Sequence, residues 1–149
     1  MANNYRHFSF ALKLANKKEA VWFQKLLEKA SVTEDPESGG TMADFDWTVY
    51  GHVTTPEGTH QAPPSPHVWF RDNGEYGNVD QVADLVQMYL KKFCPKCYFT
   101  MSWADTCSKH RLGEFGGGLC VVTAKEQHWL NEHAFVTKHS KGLESRNEG

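Results

Sequence analysis

Residues 7–14, HFSFALKL, alternate apolar and polar positions through Phe8, Phe10, Leu12 and Leu14. That period of two is the mark of a strand with one buried face. The period then lengthens. Over residues 16–30 Trp22, Phe23, Leu26, Leu27 and Ala30 recur at helical spacing, and over residues 78–93 Val82, Leu85, Val86, Tyr89, Leu90 and Phe93 do the same. Each helix opens on an Asn whose side chain can cap the amide three residues on, with Glu19 or Gln81 placed to reach back. A third segment, Thr123-Ala-Lys-Glu126, carries the same start, continues through Trp129, Leu130, Ala134 and Phe135, and predicts a helix ending near His139.

Aromatic and β-branched content predicts further strands over residues 45–53, 67–71, 98–104 and 119–122. The resulting order is β-α-β-β-α-β-β-α. Its first six elements match the split βαβ arrangement of a ferredoxin-like sandwich, an α+β fold with two helices on one face of an antiparallel sheet. An extra strand and helix follow at the C-terminal side. Residues 31–43 are acidic and rich in Gly and Ser, and residues 54–66 are rich in Pro. Both read as excursions within one domain spanning residues 1–138. Residues 139–149 are polar and nearly free of apolar side chains, which predicts a disordered tail.

Composition agrees with one domain, since 149 residues with 40% hydrophobic content can bury a core of their own. Sixteen basic residues lie among eighteen acidic ones without a basic block, so nucleic acid is not the expected direct partner. No apolar run approaches the ~18 residues needed to cross a bilayer, and the start MANNYRHFSF has no apolar signal core. No membrane association and a cytoplasmic location are the expectations.

All four cysteines fall between Cys94 and Cys120. Cys94-Pro-Lys-Cys97 and Cys107-Ser-Lys-His110 together offer three thiolates and an imidazole, the ligand set of a structural zinc ion. A hairpin would have to bring the pairs together, because a continuous strand holds them about 25 Å apart. Otherwise Cys97, Cys107 and Cys120 are small buried hydrophobes. The cofactor expectation is therefore none, or one structural zinc. A thioredoxin-type role for CPKC is disfavoured, since the motif follows a helix where the dipole opposes a thiolate.

His7-Phe-Ser9 and His52-Val-Thr54 have the His-x-Ser/Thr form of two-histidine phosphodiesterases, in which paired imidazoles act as base and acid. Gly116-Gly-Gly118 lacks the Lys-Ser/Thr of a phosphate loop and leads into a strand. A bulge, or the close approach of another segment, is the better account.

The segments Ser102-Trp-Ala-Asp-Thr-Cys-Ser108, Gly113-Glu-Phe-Gly-Gly-Gly118, Val82-Ala-Asp-Leu-Val-Gln87 and Val122-Thr-Ala-Lys125 resemble small proteins carried by phages and mobile genetic elements. The likeness covers residues 78–130, with a looser echo in residues 7–27. It implies an accessory protein that binds a host protein, in the manner of anti-CRISPR-like inhibitors of defence nucleases. The expectation is thus a cytoplasmic protein acting by binding a protein partner, with Trp103, Asp105, Lys109, Arg111 and Glu114 as its interaction surface. The alternatives are a two-histidine enzyme and a zinc-stabilised binding module.

Overall fold

A computed structural model describes residues 4–30, 42–46, 52–55, 58–61, 67–74, 77–111 and 114–147. In chain order the elements are β1 (Asn4–His7), β2 (Ser9–Lys13), α1 (Lys17–Lys29), β3 (Met42–Asp46), β4 (His52–Thr55), β5 (Gly58–Gln61), β6 (His67–Arg71), α2 (Val79–Phe93), β7 (Tyr98–Cys107), β8 (Gly116–Thr123), β9 (Gln127–Trp129) and α3 (Glu132–His139). The fold is α+β, and among the described residues every strand pair is antiparallel. Of the loops expected over residues 31–43 and 54–66, residues 31–41, 56–57 and 62–66 lie outside the described residues, as does the middle of the strand expected over residues 45–53. The rest is corrected, since Met42 and Ala43 belong to β3 and the Pro-rich loop holds the end of β4 and its paired strand β5.

The first strand is present but changes ladder at Phe8. β1 pairs with β7 in a sheet of order β1-β7-β8-β9, while β2 pairs with β6 in a sheet of order β2-β6-β3. Asp72, just past β6, occupies the junction: its Oδ1 accepts the Phe8 amide at 2.9 Å, and its own amide donates to the Phe8 carbonyl at 3.4 Å. The alternation survives the break. Phe8, Phe10, Leu12 and Leu14 are all buried.

Those four side chains join one core with Ala20, Phe23 and Leu27 of α1, seven residues of α2, and Met101, Cys120 and Val122 of β7 and β8. The Phe23 ring lies 5.8 Å from Phe70 and 5.9 Å from Tyr89, and Trp22 meets Phe93 at 5.2 Å, so the helices lie side by side. Asn16 and Asn78 cap them as expected, each accepting the amide three residues on at 3.0 Å. The return half of each capping box is redirected. Glu19 accepts the Ala15 amide and the Tyr89 hydroxyl, while Gln81 donates to the Ala30 carbonyl that ends α1.

The expected third helix is corrected at its start. Thr123 closes β8, its Oγ1 accepts the amides of Lys125 and Glu126 at 3.3 and 2.9 Å, and the chain folds back as β9. A Thr-x-x-Glu sequence serves a hydroxyl-capped turn as readily as a helix, because the same oxygen reaches the same amides in both. Asn131 is the actual cap, accepting the Ala134 amide at 3.0 Å. The eight-residue α3 that follows buries none of its side chains.

Candidate functional site

β7 runs unbroken for ten residues and alternates as a strand must. Met101, Trp103 and Asp105 share one face, yet Met101 is fully buried while Trp103 and Asp105 are half-buried, so the cover thins toward Cys107. Trp103 stands opposite Gly118 in the register. A Cβ at Gly118 would lie 2.0 Å from the indole, and only glycine allows the ring to rest on the β8 backbone there. Trp129 meets the indole edge-on at 5.7 Å, and the Arg6 guanidinium lies 5.6 Å from its centroid.

Arg6 and Asp105 are direct partners in the β1–β7 register. Arg6 Nε donates to Asp105 Oδ1 at 2.8 Å and Nη2 to Oδ2 at 3.3 Å, a two-point contact of matching planar groups. Beside the pair opens a groove of about 610 Å³, whose walls include Tyr5, Arg6, Asp105, Glu114, Phe115 and Glu132. Phe115 is exposed and its ring stacks on His110 at 6.1 Å. The helix α3, whose Glu132 lines the groove, leaves Phe135 57% and Val136 60% exposed, with Leu130 before it at 51%.

Of the five expected interaction residues, Asp105 and Glu114 line the groove and Trp103 lies against Arg6 of its wall, whereas Lys109 and Arg111 are exposed on the loop after β7 and do not line it. Sequence reasoning missed Arg6, Phe115, Glu132 and Trp129. Gly116-Gly-Gly118 was the usable signal, since its close approach is to Trp103.

The four expected zinc ligands are not brought together. Cys94 caps the end of α2 by donating its amide to Leu90 at 2.9 Å, and it forms a disulfide with Cys97. Cys107 ends β7 at the far end, about 30 Å away at the usual rise per residue, with His110 beyond it. The physical reason is that β7 continues past Ala104 to Cys107 and does not turn back. Among the described residues no group of three or more His, Cys, Asp or Glu side chains could hold a metal ion. Of the three cysteines read as buried hydrophobes, only Cys120 is buried, and burial followed by the Asp80 charge pushes its thiol up.

His7 ends β1, with Nδ1 3.3 Å from Asp72 Oδ2 and its ring stacked on Tyr5 at 5.7 Å. Ser9 accepts a hydrogen bond from Trp69 Nε1 at 2.7 Å. His52 lies on β4, which pairs with β5, and its side chain falls outside what is described. No helix among the described residues is long and apolar enough to cross a membrane. Comparison with protein-family models, with curated proteins and with solved structures finds no match to this chain.

Proposed function

We propose that this chain acts by binding a protein, through the surface formed by the groove at the Cys107 end of β7 and the neighbouring helix α3. The observation that carries the reading is α3 itself. A helix of eight residues draws its stability from burying an apolar stripe, yet α3 buries nothing and leaves Phe135 and Val136 exposed, with Leu130 exposed just before its cap. Exposed apolar side chains on a helix whose Glu132 lines a groove, with an ordered ion pair on the groove wall, are what a protein interface supplies to its partner. The likeness to small proteins of phages and mobile elements supports a host protein as that partner, met in the host cytoplasm, with a defence nuclease as the target class.

The ferredoxin-like reading of the fold belongs to this proposal. Taken as one strand broken at Phe8, β1 and β2 give the succession β7, β1/β2, β6, β3, which is the order of a split βαβ sandwich.

A photo-crosslinking residue placed at Phe135 tests the function. The expected result is one dominant adduct in host cells, absent when the probe sits at Tyr98 and lost with Val136→Asp at unchanged melting temperature. Equal adducts from both positions would sink the proposal. A second reading, the two-histidine phosphodiesterase, is favoured by the Asp72 contact that orients His7. It requires hydrolysis of bis(p-nitrophenyl) phosphate that disappears with His7→Gln and with His52→Gln.

A further inference from the structure

Resting on the protein-binding reading above, we infer that the groove receives an arginine side chain of the partner, seated between Glu114 and Glu132 with its guanidinium plane against Phe115. The argument begins with charge. Among the described residues Arg6 is the one cation on the groove wall, and Asp105 already matches it at two points. Glu114 and Glu132 line the same groove without a cationic partner among the described residues, and Glu114 is half-buried. Covering this surface with an apolar segment would strip water from two unmatched carboxylates, and an anion would be repelled by them. A cation satisfies both.

Shape selects the kind of cation. The volume of about 610 Å³ admits a long side chain, and its open mouth suits a residue projecting from a macromolecular surface. Phe115, whose ring lies 6.1 Å from that of His110, keeps 51% of its surface exposed on the same groove wall as the acids. A guanidinium can stack on a ring and meet carboxylates in its plane, whereas an ammonium is a compact point charge without that match. The chain makes the same interaction internally, where Arg6 lies against Trp103 while its edge engages Asp105. Leu130, Phe135 and Val136 are exposed on or just before the helix that carries Glu132, which calls for apolar residues near the arginine.

The test uses the full-length 15N-labelled chain and three capped tripeptides, Leu-Arg-Leu, Leu-Lys-Leu and Leu-Glu-Leu, each titrated to about 50 mM so that millimolar binding registers. The arginine peptide is expected to shift the amides of Glu114, Phe115 and Glu132 saturably, the lysine peptide to bind several-fold more weakly, and the glutamate peptide to leave them unmoved. Glu114→Gln with Glu132→Gln is expected to weaken the arginine peptide about tenfold, the worth of one charge-assisted pair. Unchanged binding in the double variant, equal shifts with the glutamate peptide, or no shift at these amides overturns the inference. If the Phe135 adduct still forms after any of these results, the arginine pocket is wrong and the protein-binding reading stands. Loss of the adduct at unchanged peptide binding has the opposite meaning.

Discussion

The Tyr89 hydroxyl of α2 donates to the Glu19 carboxylate of α1, and both side chains are buried where the two helices meet. Glu19 also accepts the Ala15 amide, so one carboxylate serves a helix start and a helix–helix contact together. Burial, then the hydrogen bond and charge of Glu19, holds the Tyr89 phenol well above its ordinary range. The folded chain therefore keeps its proton at pH values where an unfolded Tyr, ionising near pH 10, has released it. The unfolded state then binds fewer protons, and stability is complete below about pH 10 and falls as pH rises beyond it. Cys120, raised by burial, acts in the same direction from a lower start, near about 8.5. Urea midpoints between pH 8 and 11 should show this alkaline loss, and Tyr89→Phe should flatten its upper part. At neutral pH Glu19→Ala should cost about 1–3 kcal/mol, because a buried hydroxyl is left unpaired.

Phe10 faces the core opposite Phe70, with the Phe8 ring at 4.8 Å and Phe99 at 6.3 Å. Phe10→Ala should destabilise by about 3–5 kcal/mol in equilibrium unfolding. A loss under about 1 kcal/mol would place this strand at the periphery of the core.

Gly118 and Gly116 provide a matched pair of substitutions on one strand. A Cβ at Gly118 meets the Trp103 indole, so Gly118→Ala should displace the ring, change tryptophan fluorescence and cost about 1–3 kcal/mol. Nothing lies within 4 Å of a Cβ at Gly116, and Gly116→Ala should be nearly silent. Equal costs at the two sites would mean that the indole does not rest on β8.

Alkylation without reductant should label Cys107 and spare Cys94 and Cys97, which are joined, with Cys120 labelled only on unfolding. Removing the bond by Cys97→Ser should cost no more than about 2 kcal/mol, because the loop it closes is short. Elemental analysis of the same sample addresses zinc. One equivalent of metal together with free thiols at 94 and 97 would require a ligand set unlike the one described.

The sequence carried the core and its caps because those signals are local. The alternation of Phe8, Phe10, Leu12 and Leu14 and the spacing behind Asn16 and Asn78 depend on no distant residue. Thr123 misled because its hydroxyl caps a turn and a helix with the same amides. Trp103, Asp105 and Glu114 were legible as a surface since they flank the glycines, but Arg6 reaches them only through β-pairing across 99 positions. Glu132 arrives only after β9 has folded back on β8. Cys97 and Cys107 seemed joinable because nothing in residues 98–104 marks where a strand will end.

The separation of 99 positions between Arg6 and Asp105 also bears on when the groove forms. A contact between such distant points must close a long loop before it returns any energy. The helices and their strands hold a buried core without it, whereas the wall of the groove made by Tyr5 and Arg6 is absent until β1 has docked on β7. The groove is thus expected to close after the core has formed. Loss of the four residues of β1 would remove the groove while leaving the Phe23–Phe70 interior in place.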